Sequence, residues 1–301
     1  MLYAHQQRFL DTHTKRSALI HATGTGKTRT ACHWARQNGG TTLIVCPKAL
    51  REAWKREATE TGITPLILSK EEFRRDGGKL KKFDNLIIDE LHLNFLTPHF
   101  KSQSSKVLKN YIKEYNPNRL FCSATPYGSS PWQIYQLATL LGYRLDWQKF
   151  KYTFFTDVRM GARVIPVAKK GMETRLAGIV KRIADVVSLE ECIDAPPQVH
   201  SDPELYELTK EQKIAIDAAY DPVPIVRFTK EHQIEQGVLK ETGQMFPCEK
   251  NERILQLVEE HPKIAIVCRY NLQIDAIKQA IPDALVIRGD TKDRDALTHA
   301  A

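Results

Sequence analysis

The fold of this 301-residue chain is decided by the stretch Ser17-Ala18-Leu19-Ile20-His21-Ala22-Thr23-Gly24-Thr25-Gly26-Lys27-Thr28. An apolar run leads into a loop with two glycines, and helical periodicity begins directly after Lys-Thr. Glycines let backbone N–H groups turn toward a bound anion, and the start of a helix adds a favourable dipole. In such a loop the lysine reaches the β and γ phosphates of a nucleotide, and the threonine hydroxyl ligates magnesium. The stretch therefore predicts a strand, a phosphate-binding loop and a helix, with Thr23 to Thr28 lining the phosphates.

A second motif supplies the expected partner for magnesium, in the segment Leu86-Ile87-Ile88-Asp89-Glu90-Leu91-His92. Three apolar residues precede two acids, and ligands collect at the carboxyl ends of strands in an open α/β sheet. We expect Asp89 to hold Mg²⁺, usually through water, and Glu90 to orient and activate the attacking water. Either carboxylate alone could be a solvated turn residue. The pair, placed 62 residues after Lys27, predicts a hydrolytic site.

Short, nearly continuous apolar runs alternate with helical stretches over residues 1–145, and this pattern predicts an α/β domain with a mainly parallel sheet covered on both faces. Residues 146–200 form a basic and aromatic insertion with a connector, and residues 201–301 form linker helices and the start of a second α/β lobe. The predicted strands are 17–20, 42–46, 65–68, 85–89, 119–123, 264–268 and 284–288. The predicted helices are 29–37, 49–59, 104–115, 132–141, 173–187, 250–259 and 272–280.

Composition excludes several classes of protein. Apolar residues make up 42% and charged residues 27%, which excludes disordered, collagen-like and membrane-embedded chains. Apolar runs reach four or five residues, far below the ~20 needed to span a bilayer, and the first ten residues do not read as a signal peptide. The six cysteines show no metal or disulfide spacing. We therefore expect a cytoplasmic, intracellular protein.

The net charge of +8 is unevenly distributed along the chain. Residues 1–182 carry 31 Lys and Arg against 14 Asp and Glu, whereas residues 183–301 carry 13 against 22. A basic face of this kind binds polyanions, because Lys and Arg that neutralise phosphates release condensed counterions. An ordinary solvated basic surface is the alternative.

The motifs together resemble those of superfamily-two helicases. Asp89 to His92 fits the D-E-x-H box of that family, and Ala22 to Thr28 is similar to its phosphate loop, although the common P-loop pattern has glycine at the position of His21. His5-Gln6 resembles the glutamine motif, which implies that Gln6 recognises adenine and selects ATP. The resemblance implies a RecA-like P-loop NTPase lobe, followed by a partial second RecA-like lobe.

Further segments are similar to the Swi/Snf-like branch, a type often seen in bacteriophage and bacterial mobile elements. Ile44 to Leu50, followed by Trp54, resembles its motif Ia, which implies that Pro47 and Lys48 lie near a nucleic-acid backbone. Ser123-Ala124-Thr125-Pro126 resembles motif III, which implies that Ser123, Thr125 and His92 couple hydrolysis to nucleic-acid binding. Weaker matches are the helix at 132–141, the connector at 180–197 and the segments 205–213, 250–258 and 263–270.

The basic and aromatic run 147–170 is a further candidate for nucleic-acid contact. It is compatible with a β-hairpin or protrusion that follows one DNA strand, with Phe154 or Phe155 wedged at a junction or stacked on a base. Alternatively, the aromatic residues pack against the first lobe and the basic residues are solvated. The basic residues of the run are Lys149, Lys151, Arg159, Arg163, Lys169 and Lys170.

The resemblance implies an ATP-dependent DNA helicase or translocase that uses ATP and Mg²⁺, with duplex or branched DNA favoured over RNA. No segment like the family's arginine-bearing motifs V and VI follows Asp290. We therefore expect a fragment with weak turnover, whose arginine finger comes from a further segment or a partner. The alternatives are a nucleotide-gated DNA-binding module without useful catalysis, and a P-loop ATPase unrelated to nucleic acid.

Overall fold

The computed structural model describes residues 2–13, 15–93, 95–96, 102–125, 130–161, 163–192, 201–261, 263–289 and 291, without the side chains of Met160 and Arg163. Pro126, Pro196 and Pro197 lie outside the described residues, and so does the predicted contact through the Arg163 side chain. The chain divides into two compact units, Met1–Pro197 and Gln198–Ala301. Among the helices described, none has the length and apolar character that crossing a bilayer requires.

The strands are numbered in chain order. They are β1 Arg16–His21, β2 Thr42–Cys46, β3 Leu66–Ser69, β4 Asn85–Asp89, β5 Asn118–Ser123, β6 Phe155–Met160, β7 Arg163–Ala168, β8 Asp185–Val187, β9 Val238–Leu239 and β10 Gln244–Met245. The α-helices are α1 Ala4–Thr12, α2 Lys27–Asn38, α3 Arg51–Thr61, α4 Lys70–Asp76, α5 Gln103–Tyr115, α6 Pro131–Leu141, α7 Trp147–Phe154, α8 Glu173–Ile183, α9 Lys210–Ala218, α10 Pro224–Glu235, α11 Glu249–Glu260 and α12 Asn271–Ala280.

The first unit is built on a parallel sheet of six strands in the order β3-β2-β4-β5-β1-β8. The predicted α/β class and parallel sheet are confirmed, and β2 and β4 have the predicted bounds. Because every strand points the same way, the phosphate loop after β1, Asp89 in β4 and Ser123 in β5 meet at one edge. The connection after β1 runs to β2 on one side of the sheet, and the chain after β5 returns to β8 on the other side. The strand order therefore reverses between β1 and β5, and open α/β sheets bind ligands in the crevice at such a point.

Helices cover both faces of this sheet, as the continuous apolar strands predict. One core contains α1, α2 and α3 against strand residues such as Leu19, Ile44 and Ile87. The other contains α5, α6 and α8 against the alternate residues, such as Ile20, Val45 and Ile88. Successive side chains of a strand point to opposite faces, so each strand contributes to both cores.

The predicted helix 173–187 is wrong in its last part. The helix α8 ends at Ile183. Residues 185–187 form β8, which pairs with β1 at the end of the six-stranded sheet. The β-branched Val186 and Val187 favour this conformation, and the pairing satisfies the open edge of β1. Sequence periodicity alone does not reveal it, because the partner strand lies more than 160 residues earlier.

The insertion contains the predicted β-hairpin, in which β6 and β7 pair antiparallel from Phe155–Ala168 to Met160–Arg163. The hypothesis that Phe154 or Phe155 stacks on a base is wrong, because both side chains are buried in a core. They belong to an aromatic cluster with Trp132, Trp147 and Phe150. In this cluster the indole rings of Trp132 and Trp147 stack with their centres 4.1 Å apart. The cluster fixes the base of the hairpin to α6 and α7.

The second unit contains α9 to α12 and the short hairpin of β9 and β10. The predicted helices at 250–259 and 272–280 are present as α11 and α12. The strands predicted at 264–268 and 284–288 are wrong, because the described residues there join no β-ladder and Val267 is 96% exposed. A pair of strands without further neighbours is marginally stable, so apolar alternation alone does not make these segments a sheet. The partial second RecA-like lobe therefore stays a proposal.

Candidate functional site

The phosphate loop follows β1 directly and is held by its own backbone and by Lys27. Gly24 and Gly26 adopt left-handed φ angles of 86° and 79°, which residues other than glycine rarely adopt. The α2 helix begins at Lys27, so its unpaired N–H groups face the loop. The Lys27 ammonium donates to the carbonyls of His21 at 2.9 Å and Ala22 at 3.1 Å. The loop N–H groups, the start of α2 and the Lys27 ammonium together provide the donors that an anion would need.

Helix α1 supports the loop from one side through His5 and Gln6. The Gln6 amide nitrogen donates to the carbonyls of Thr25 and Gly26, both at 3.2 Å, and its oxygen accepts from the Tyr3 N–H at 2.9 Å. The His5 Nε2 lies 3.0 Å from the Thr25 carbonyl. Both amide hydrogens of Gln6 are thus used inside the protein. Recognition of adenine by Gln6, which the sequence suggests, would require at least one of these bonds to be exchanged.

The backbone conformation explains the glycine at position 26, the N-cap of α2. Any other residue there would have to adopt a left-handed backbone, which side chains disfavour. A Cβ at this position would also displace the end of the Gln6 side chain.

Asp89 is a buried carboxylate with two donors. Its Oδ2 accepts from the Trp54 indole N–H at 2.9 Å, and its Oδ1 accepts from the Glu90 N–H at 3.0 Å. Burial raises the pKa of Asp89, and the hydrogen bond from Trp54 opposes this rise. A carboxylate this poorly solvated is stabilised by any cation placed beside it. Trp54, predicted only as part of a resemblance, is its structural partner.

Glu90 adopts an unusual backbone conformation directly after β4. Its φ is 49°, in the left-handed region that costs a non-glycine residue roughly 1–2 kcal/mol. The Glu90 carbonyl accepts from the Leu93 N–H at 2.9 Å and from the Lys70 ammonium at 3.2 Å. Lys70 is itself 5% exposed, and burial lowers its pKa, although Asp89 and Glu90 oppose this effect. The strained turn at Glu90 is thus held by a buried lysine from α4.

His92 joins Glu90 to Ser123 on the neighbouring strand. Its Nδ1 lies 2.8 Å from the Ser123 Oγ and 3.3 Å from the Glu90 Oε2. The Ser123 hydroxyl donates to the Thr125 carbonyl, so the His92 Nδ1 must be the donor to Ser123. Burial lowers the pKa of His92, which favours the neutral ring despite Glu90. The structure therefore brings the three residues predicted for coupling into one hydrogen-bonded chain.

The donor set at this edge fits Mg²⁺. Magnesium prefers oxygen ligands and is usually held by one or two protein groups, water and substrate phosphates. The Thr28 hydroxyl, in the first turn of α2, has no hydrogen-bond partner among the described residues, and the Asp89 carboxylate stands two strands away at the same edge. These two residues would hold the ion. When bound, it would neutralise phosphate charge and order water.

Replacement of Trp54 by Phe tests the buried bond to Asp89. We expect the free energy of unfolding in urea to fall by about 1–3 kcal/mol, because a buried carboxylate loses its donor. Trp34→Phe is the matched control, since the Trp34 side chain is fully buried but its N–H has no partner among the described residues. Equal losses for the two variants would contradict the role of the bond.

The basic residues of the insertion divide into exposed and engaged groups. Lys149, Arg159 and Lys170 are exposed and form no ion pair with the rest of the described chain. Lys151 pairs with Asp157 at 2.7 Å. Three of the six predicted cations are thus directly available to a phosphate backbone.

An exposed aromatic residue, Tyr152, lies beside them. Its side chain is 84% exposed, and the Lys169 ammonium lies 5.3 Å from the ring centre and donates to the Tyr152 carbonyl at 2.7 Å. A solvent-facing ring with an adjacent cation can stack on a base. Sequence reasoning named the wrong aromatic residues, because only the buried cluster shows which rings stay outside.

Pro47 and Lys48 lie at the carboxyl end of β2. Pro47 precedes a short 3₁₀ helix, Lys48–Leu50, which leads into α3. The Lys48 side chain is exposed. Both residues stand at the same edge of the sheet as the phosphate loop, two and three strands from β5 and β1.

The solved structures that are similar to this chain include two helicases. The UvsW helicase from Bacteriophage T4 matches with a TM-score of 0.36 and 15% identity, over 45% of this chain and 57% of its own. The Pyrococcus furiosus Hef helicase domain matches with a TM-score of 0.37 and 18% identity, over 52% of this chain and 40% of its own. The chain thus spans about half the length of these structures, and the similarity is one of fold. No protein-family model and no curated protein sequence matches the chain.

Proposed function

We propose that the chain is the ATP-binding part of a superfamily-two, Swi/Snf-like DNA helicase or translocase. One observation carries the proposal: a glycine loop with Lys27 and a carboxylate pair, Asp89 and Glu90, share one edge of a parallel sheet. The His92–Ser123 hydrogen bond lies beside this pair, on the strand between it and the loop. Each part is one that phosphoryl transfer requires.

The geometry supports a division of labour in ATP hydrolysis. The loop N–H groups and Lys27 would bind the β and γ phosphates, and Thr28 and Asp89 would hold Mg²⁺. Glu90, with His92 3.3 Å from its carboxylate, would orient the attacking water and accept its proton. Because His92 also binds Ser123, movement at either residue changes the position of the base. Coupling of hydrolysis to nucleic-acid binding would use this connection.

The nucleic-acid contacts that we propose are electrostatic contacts to phosphates and one stacking contact to a base. Pro47 and Lys48 would approach one backbone at the edge of the sheet. Exposed Lys149, Arg159 and Lys170 would contact phosphates, and Tyr152 would stack on a base. Lys151, Lys169 and Arg163 complete the predicted set. Phosphate contacts of this kind carry no sequence information and distinguish DNA from RNA poorly.

Removal of the three exposed cations tests this surface. We expect Lys149→Ala/Arg159→Ala/Lys170→Ala to weaken duplex DNA binding and to lower the slope of log affinity against log salt by about 2–3, since each phosphate contact contributes about 0.9. The control, Lys210→Ala/Lys213→Ala/Lys240→Ala, removes the same charge from exposed sites of the acidic second unit. An unchanged slope in the first variant would contradict the contact. Parallel titrations with duplex RNA would show which polyanion is preferred.

A nucleotide-gated DNA-binding module is the second candidate. The exposed cations of the insertion also fit this module, because binding a polyanion requires no catalysis. Steady-state ATP hydrolysis with and without DNA separates the two candidates. DNA-stimulated turnover of several per second would exclude the module.

A further inference from the structure

The last described segment of the first unit lies against the phosphate loop. We call residues 185–192 the exit segment; it begins with β8, which pairs with β1 from Leu19–Asp185 to His21–Val187. The N–H of Ala22, where the loop starts, donates to the Val187 carbonyl at 3.0 Å. The pairing of β1 with β8 thus extends into the first residue of the loop.

A buried histidine connects the exit segment to Lys27. His21 is fully buried, and its Nε2 lies 2.6 Å from the Asp185 Oδ2. Its Nδ1 has no partner among the described residues. A buried N–H without an acceptor costs more free energy than a buried nitrogen lone pair without a donor. The proton therefore belongs on Nε2, which donates to Asp185, and Nδ1 is unprotonated. The carbonyl of the same residue accepts from Lys27.

The charges around His21 keep this bond in one form. The groups that face it are Asp185 from β8, His5 from α1 and Lys27 from α2. Burial lowers the pKa of His21, despite the opposing effect of Asp185. Burial by itself raises the pKa of Asp185, but the larger combined effect of His21 and Arg8 lowers it. The net shift is downward, so the carboxylate stays ionised. A neutral donor therefore faces a fixed negative charge.

Leu189 of the exit segment lies near Gly24 of the loop. A Cβ added at Gly24 would lie 3.8 Å from the Leu189 Cδ1, so the space between the two residues is small. The connections that join the exit segment to the loop are the backbone pairing of β8 with β1 and the buried bond between His21 and Asp185.

We propose that Asp185 is a positioning residue for the phosphate loop, and that through His21 it couples nucleotide binding to the exit segment. The reason is competition for Lys27. Its ammonium bonds the His21 and Ala22 carbonyls, and phosphates bound in the loop would draw it away from them. The His21 carbonyl at the end of β1 then loses its donor. Because Asp185 and β8 hold this end of the strand, the stability of the pairing between β1 and β8 changes. The inference rests on the proposed nucleotide site.

The first test compares affinities for a fluorescent, non-hydrolysable ATP analogue with Mg²⁺. We expect Asp185→Ala to weaken binding about tenfold, because the buried His21 N–H loses a charged acceptor. Asp185→Asn keeps an acceptor and restores most of the affinity, which loss of packing alone would not do. Asp11→Asn, at an exposed carboxylate of α1, is the control. Affinity unchanged in a folded Asp185→Ala protein overturns the inference.

The second test uses the unmodified chain. Hydrogen exchange of the exit-segment amides is measured with and without the same analogue, and residues 104–115 in α5 serve as the internal reference. We expect exchange in the exit segment to change by severalfold and the reference to stay constant. If the analogue binds and the exit segment does not respond, the coupling is wrong and the nucleotide site stands. If the chain does not bind the analogue at all, the proposed function itself fails.

Discussion

Replacement of Lys27 by Ala is expected to abolish measurable ATP binding. The Lys27 ammonium lies at the loop, bonded to the His21 and Ala22 carbonyls, and phosphates bound there would draw it to themselves. Loss of a hydrogen bond to a charged group costs about 1.5–3 kcal/mol, or roughly 10- to 150-fold in affinity for each bond lost. Nucleotide affinity by fluorescence titration is the measurement.

The control for Lys27→Ala is Lys113→Ala, which removes the same charge from an exposed position of α5. The control protein should bind nucleotide as the unmodified chain does, and both should show the same thermal unfolding. Wild-type affinity in the Lys27→Ala protein would show that the loop is not the nucleotide site. In that case the glycines and the helix start would have only a structural role.

Glu90→Gln is expected to separate binding from hydrolysis. The amide keeps the size of the side chain and leaves the backbone bond to Lys70 in place, so ATP should still bind. It cannot accept a proton from water, and loss of a general base costs about 10²–10⁴-fold in rate. A single-turnover assay with excess protein measures hydrolysis even when steady-state turnover is slow.

In the Glu90→Gln protein, bound nucleotide should be recovered as intact ATP, while the unmodified chain converts it to ADP. Glu114→Gln, at an exposed site of α5, is the matched control and should behave as the unmodified chain. DNA-stimulated hydrolysis at full rate by the Glu90→Gln protein would contradict the role of the carboxylate. It would leave the loop as a nucleotide-binding site whose chemistry lies elsewhere.

The two variants distinguish the candidate functions when read together. A translocase needs both residues, whereas a nucleotide-gated module needs only Lys27. DNA affinity in the presence of ATP completes the comparison. In a module, Glu90→Gln should leave the response of DNA affinity to ATP unchanged, because no hydrolysis is involved.

The amino-acid sequence by itself determined the parallel sheet, the phosphate loop and the acidic pair. These features are local: glycine spacing, apolar runs and helical periodicity act within a few residues, and each predicts its own element. The strands at 42–46 and 85–89 were therefore predictable to the residue. The hairpin in the insertion was predicted as one possibility among two.

Only the tertiary structure decided which side chains support these groups. Trp54 reaches Asp89 across 35 residues, and His21 reaches Asp185 across 164. Such pairs follow from strand order and from helix placement, which no short-range pattern records. The same reason explains the errors: burial of Phe154 and pairing of β8 both depend on partners distant in sequence. The sequence specified the candidate catalytic groups, and the packing of the sheet and its helices specified what holds them in place.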